Sequence, residues 1–164
     1  MQSTRGIPSL KIDIAYPEAL TDQSLELIDI GQGCKLKAYS LERITGEKHR
    51  AFLSTLPSYF IKMGKIPRPV RAKDLYDIAK ISKVKKIEDE KFWLAAGHEF
   101  HLACKSRYID CDGINTFAEN YNVTESTYNN DPTIPKDIPF LSAWESLKQI
   151  VIFWELNKII PLLR

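Results

Sequence analysis

Three short runs in this 164-residue chain pair acids with bases at spacings that a phosphate or metal site would use. In Leu10-Lys11-Ile12-Asp13-Ile14 the strict alternation predicts a strand, closed by Pro17. Residues two apart on a strand share a face, so Lys11 and Asp13 present an ammonium and a carboxylate together. A solvated outer face would show the same pattern. The second run, Glu47-Lys48, falls in the middle of a helical periodicity, with Lys48 one turn from Ile44 and from Ala51-Phe52. A lysine on or near an apolar stripe either snorkels to solvent or points into a phosphate site. The third run is Arg71-Ala72-Lys73-Asp74-Leu75-Tyr76-Asp77-Ile78, which sets Asp74 and Asp77 three apart on one helix face with two cations in the first turn. Cations at a helix N-terminus are mildly unfavourable with the macrodipole, so Arg71 and Lys73 call for phosphate or for a buried ion pair. The pair Asp74 and Asp77 could equally tie its helix to a neighbour through Arg43, Arg50 or Arg71.

The elements that would position these groups run from strands to helices. Beyond the first strand, residues 25–30 and 35–39 are extended candidates separated by Gly31-Gln32-Gly33, a spacing that permits a hairpin. Ser40 offers an N-cap, and Leu41, Ile44, Lys48, Ala51, Phe52 and Leu56 recur at three- and four-residue steps, predicting a helix over 41–56 ended by Pro57. Residues 57–70 hold three prolines and Gly64 with Lys62, Lys65 and Arg68, and read as a basic loop. Helices are expected over 71–82, from the acidic run Glu88-Asp89-Glu90 to about Tyr108, over 112–120, and over 141–158 with a broad apolar face. Residues 121–139, rich in Asn, Thr, Asp and Pro, read as a long surface loop. The fold class is α+β: short antiparallel strands followed by a helical bundle. No linker or repeat divides the chain, so 1–164 is one domain, strand-containing over 1–40 and helical over 41–164.

The order and spacing of Leu10-Lys11-Ile12-Asp13-Ile14, Tyr39-Ser40-Leu41-Glu42-Arg43-Ile44, Glu47-Lys48-His49-Arg50-Ala51-Phe52 and Arg71-Ala72-Lys73-Asp74-Leu75-Tyr76-Asp77-Ile78 resemble the AbiEii-type nucleotidyltransferase toxins of type IV toxin–antitoxin systems. The likeness covers almost the whole chain. It implies a nucleotidyltransferase fold with a helical C-terminal half and transfer of a nucleotide from a nucleoside triphosphate to an acceptor such as tRNA, with Mg²⁺. By the same resemblance Asp13 is a metal-side carboxylate or general base, and Lys11 neutralises phosphate charge beside it. Lys48 contacts the triphosphate, and Asp74, supported by Arg71 and Lys73, completes the pocket wall and holds Lys48 or the nucleotide. Asp77 is expected to be structural.

One part of the family pattern is not found. Such enzymes carry a Gly-Ser turn followed by an Asp-x-Asp strand, which hold the triphosphate and the metal ions; Asp13 matches only the third carboxylate. Phosphoryl and nucleotidyl transfer lean on metals and positioned charge, so one carboxylate of three does not assemble the site. The chain is therefore expected to be a truncated portion of such an enzyme, inactive alone, with residues 1–40 a remnant of the sheet. Whether it is an enzyme by itself is left open. The alternative is a non-catalytic helical module that binds RNA, an antitoxin or a complementing N-terminal segment.

Composition narrows the field further. Lys plus Arg (23) against Asp plus Glu (21) gives a net charge of +2, too small to imply nucleic-acid binding from the bulk charge. The apolar-rich end, 150–163, is broken by Glu155, Asn157, Lys158 and Pro161 and is too short to span a bilayer, and the first residues lack the apolar block of a secretory signal. With three cysteines at spacings that suit neither a disulfide framework nor a metal knuckle, a cytoplasmic location without a membrane anchor is expected. In His98-Glu99-Phe100-His101 the histidines stand three apart, so this is not the zinc motif that needs them four apart.

Overall fold

A computed structural model describes residues 18–163; the strand expected at 10–14, with Lys11 and Asp13, lies outside the described residues. The described chain begins with a short 3-10 turn, Asp22–Ser24, and an antiparallel hairpin of β1 (Leu25–Asp29) and β2 (Lys35–Tyr39), in which Leu25 faces Tyr39 and Asp29 faces Lys35. The hairpin turn is pinned by the Asp29 carboxylate, which accepts the Gly31 N–H at 2.8 Å. Seven helices follow: α1 (Leu41–Leu53), α2 (Pro57–Met63), α3 (Ala72–Val84), α4 (Glu90–Arg107), α5 (Ile114–Ala118), α6 (Tyr121–Asn130) and α7 (Phe140–Leu156). The chain is thus α+β, with the strands first and the bundle after.

Helix α1 packs chiefly on α4 and α3, and α3 packs on α7. Its start is capped as the sequence suggests, the Ser40 hydroxyl accepting the Arg43 N–H at 3.2 Å. The close approach of α1 to α4 depends on Gly46. A Cβ there would stand 2.5 Å from the Phe100 backbone nitrogen, so only glycine lets the two backbones meet at this crossing. Under the crossing lies an aromatic core in which Phe100 stacks on Trp154 at 4.9 Å and the Trp154 indole N–H donates to the Trp93 carbonyl at 2.8 Å. Both large side chains are fully buried, and Trp154 has spent its polar edge on backbone.

Three expectations need correction. Residues 57–70 are not loop throughout, because Pro57 opens α2 instead of only closing α1. Its fixed φ suits the first turn, and Gly64 ends the helix in the left-handed conformation (φ 58°). Residues 121–139 hold α6, whose poor helix formers are carried by packing: Tyr128 is buried and its hydroxyl donates to the Ile138 carbonyl at 2.9 Å, while Thr124 is buried with its hydroxyl bonded to the Asn120 carbonyl. Finally, the buried face of α1 matches the expected stripe only in its second half, where Ala51 and Phe52, and Leu56 just beyond the helix end, are buried. Ile44 is 37% exposed, whereas Arg43, Thr45, Gly46 and His49 point inward with Phe52. The broad apolar face expected of the last helix packs through Ala143, Leu147, Ile150, Val151 and Trp154 of α7, while Leu141 and Leu156 at its ends are exposed.

Candidate functional site

Helices α1 and α3 lie side by side, and the polar groups they aim at each other form one cluster. The Lys48 ammonium donates to Asp77 Oδ2 at 2.6 Å and to Asp74 Oδ1 at 2.9 Å. From the residue that precedes α3, the Arg71 guanidinium pairs with Asp74 through Nε and through Nη2, the latter at 3.3 Å. Asp74 is almost wholly buried, its side chain 2% exposed, while Lys48 and Asp77 are open to about the same partial extent. Burial works against the Lys48 charge, but the hydrogen bonds from Lys48 to Asp77 and Asp74 outweigh it and hold the ammonium above its ordinary pKa. Arg71 is held up likewise, first by its hydrogen bond to Asp74.

Lys48, Arg50 and Arg71 open onto a surface cavity of about 270 Å³, whose remaining wall comes from Glu18, Tyr39, Ile44, Glu47 and Ala51. Glu47 spans the floor between two arginines, pairing with Arg43 at 2.7 Å and with Arg50. The structure therefore brings Lys48, Asp74 and Arg71 together, and Asp77 ties α3 to α1 through Lys48 and not through an arginine. Lys73 is not part of the cluster. It is exposed and lies within electrostatic reach of Asp131, whose carboxyl is held below its usual value mainly by the Thr133 backbone and hydroxyl and in small part by Lys73. Arg71 takes the ion pair, and its half-exposed side chain also lines the cavity.

Behind the cavity is a buried polar junction that no motif announces. Arg43 is fully buried and is ringed by Glu99 at 3.1 Å, Glu18 at 3.2 Å and Glu47. Glu99 also accepts the Ser24 hydroxyl at 2.8 Å, which ties the start of the hairpin to α4. The acid inside His98-Glu99-Phe100-His101 is thus a receptor for Arg43 and Ser24. The signal available in the sequence is the Arg43 to Glu47 spacing of four, a helical ion-pair step, read against an arginine four residues before an otherwise unremarkable acid. Next to it, His49 is enclosed by Phe100, Phe117 and Trp154, and burial lowers its pKa to about 4.

The described side chains do not fit a resident Mg²⁺. Both carboxylates of the α3 pair are committed to Lys48 and Arg71, and no group of three His, Cys, Asp or Glu side chains among the described residues could hold a metal ion. The sequence does contain an Asp-x-Asp spacing, Asp110-Cys111-Asp112. It follows α4 without a Gly-Ser turn, Cys111 pairs with Leu162 in an isolated bridge, and Asp110 forms an ion pair with Lys62 at 2.6 Å. It does not adjoin the Lys48 cluster through any shared cavity wall. No helix among the described residues is long and apolar enough to cross a membrane.

A family model described as nucleotidyl transferase AbiEii toxin, type IV toxin–antitoxin system, matches residues 3–144, the greater part of the chain. No curated protein matches, and no solved structure does.

Proposed function

We propose, from the premise that this chain belongs to the AbiEii nucleotidyl transferase toxin family of type IV toxin–antitoxin systems, that the Lys48 cluster is the phosphate-facing wall of its nucleoside triphosphate site. The observation that carries this reading is the sharing of one ammonium by Asp74 and Asp77 at the rim of a cavity that Arg50 and Arg71 also line. Two carboxylates fix Lys48 in direction, and Asp74 in turn fixes Arg71. The result is a set of positioned cations that needs little reorganisation when a polyphosphate arrives. Lys48 binds the triphosphate, Arg71 and Arg50 add charge at its rim, and Asp74 and Asp77 are positioning residues. In this reading Lys11 and Asp13 serve the same nucleotide, Lys11 toward phosphate charge and Asp13 as a metal-side carboxylate or general base.

The acceptor is an RNA 3′ end such as that of a tRNA, reached in the cytoplasm, where an antitoxin opposes the activity. Because both carboxylates of the cluster, Asp74 and Asp77, are spent on cations, the chain in this reading transfers nothing by itself, and the further acidic groups come from a complementing N-terminal segment that bears the Gly-Ser and Asp-x-Asp elements. A second reading, a non-catalytic module for RNA, an antitoxin or such a segment, is favoured by the exposed pair Ile61 and Ile66 standing among Lys62, Lys65 and Arg68. Incubation with tRNA and each labelled triphosphate, with and without Mg²⁺, separates them. The proposal expects no label from the chain alone and label once the acidic segment is added, lost again in Lys48→Ala. Robust labelling by the chain alone would contradict it, and triphosphate binding that survives Lys48→Ala would favour the module.

A further inference from the structure

The cavity at Lys48 has a wall that cations do not explain. Beside the charged groups stand Tyr39, at the end of β2, and, one turn either side of Lys48 on α1, Ile44 and the buried Ala51. Tyr39 and Ile44 are both partly exposed, 39% and 37%, and both border the same space. A single exposed isoleucine needs no explanation, but an aromatic ring and an aliphatic side chain bordering one cavity, beside the cations Lys48, Arg50 and Arg71 and the acids Glu18 and Glu47, make a surface that phosphate alone does not use. The ring is also held in place. Its hydroxyl donates to Glu18 Oε2 at 3.2 Å, and the guanidinium carbon of the buried Arg43 stands 6.0 Å from its centroid.

Resting on the proposed function, we infer that this wall seats the nucleobase of the triphosphate, stacked on Tyr39 and flanked by Ile44 and Ala51, with the phosphates directed to Lys48 and Arg71. Size agrees with this division. At about 270 Å³ the cavity is smaller than the roughly 300–1,000 Å³ of pockets that enclose a whole ligand. It holds the base and ribose side of a nucleotide and leaves the phosphates at the open, cationic rim. Stacking uses the π face that every base has, so this seat separates nucleotides from bare polyphosphate more than it separates one base from another.

Equilibrium binding of the full chain to inorganic tripolyphosphate and to ATP, CTP, GTP and UTP tests the inference. The four nucleotides are expected to bind about tenfold more tightly than tripolyphosphate, as one stacked base supplies, and within a few-fold of one another. Tyr39→Ala should erase that advantage and leave tripolyphosphate affinity unchanged, Tyr39→Phe should keep it, and Ile44→Ser should reduce it; circular dichroism of each variant checks that the fold is retained. Nucleotides binding no more tightly than tripolyphosphate, or an advantage that survives Tyr39→Ala, would overturn the base seat. If tripolyphosphate binds and Lys48→Ala abolishes it, the phosphate wall stands even when the base seat fails. If tripolyphosphate does not bind at all, both fall together.

Discussion

Lys48 is held by two carboxylates that differ in what their loss would do. The Asp74 side chain is 2% exposed and serves both Lys48 and Arg71, whereas that of Asp77 is 28% exposed and serves Lys48. Asp74→Asn should therefore cost about 2–3 kcal/mol of stability, somewhat below the full cost of breaking a buried pair because its partners reach solvent, and Asp77→Asn under about 1 kcal/mol. Urea denaturation of both variants checks the order. The raised pKa of Lys48 puts its share of stability at pH values below the ordinary lysine value of 10.5; that share is lost as pH climbs above it. His49 acts in the opposite range. Its folded pKa is lowered to about 4, so between pH 6.5 and 4 only the unfolded chain takes the proton, and stability falls with falling pH by roughly 3 kcal/mol across the window. His49→Gln should lower stability at neutral pH but remove that acid-side slope. Lys48, Arg71 and Asp74 were legible in the sequence because charge at helical spacing is a local pattern. The ring of acids around Arg43 was not, because Glu18, Glu47 and Glu99 come from separate parts of the chain, and an apolar-stripe argument gives Ile44 the buried place that Arg43 occupies.

The elements that position the site are set by contacts of very different range. The hairpin and α1 could be read from alternation, the Gly31-Gln32-Gly33 turn and the Ser40 cap, all signals within a few residues. By contrast α6 is rich in Asn, Thr and Ser, and its helical state follows from burial of Thr124 and Tyr128 against partners such as Phe140 that lie outside the helix's own window. The α1–α4 crossing is the element-scale determinant of the site, because it fixes the face from which Lys48 projects toward α3. Gly46→Ala would put a methyl group against the Phe100 backbone, which cannot yield as a flexible side chain would. We expect a loss of about 2–3 kcal/mol, seen in thermal or urea unfolding, together with weaker triphosphate binding as Lys48 moves relative to Asp74 and Asp77. A variant of unchanged stability would mean that the crossing is looser than the geometry indicates.

At the scale of the whole molecule, the strands and helices meet at one place where charge is organised and not merely solvated. The buried Arg43 junction locks the hairpin end at Ser24 and the segment at Glu18 to α1 and α4, and the Lys48 cluster locks α1 to α3. The cavity lies between these two locks, which is why residues as distant in sequence as Tyr39 and Arg71 share it. Family membership accounts for the kind of substrate, and the proposed site directs its phosphates to the cations around this cavity. The most direct test is a crystal structure of the chain grown with a non-hydrolysable nucleoside triphosphate. The account predicts phosphate oxygens within hydrogen-bonding distance of the Lys48 ammonium and the Arg71 guanidinium, with Asp74 and Asp77 still holding the lysine. A triphosphate bound elsewhere, for example in the cavity between α2 and α5 lined by Lys62 and Asn115, with Lys48 untouched, would contradict it.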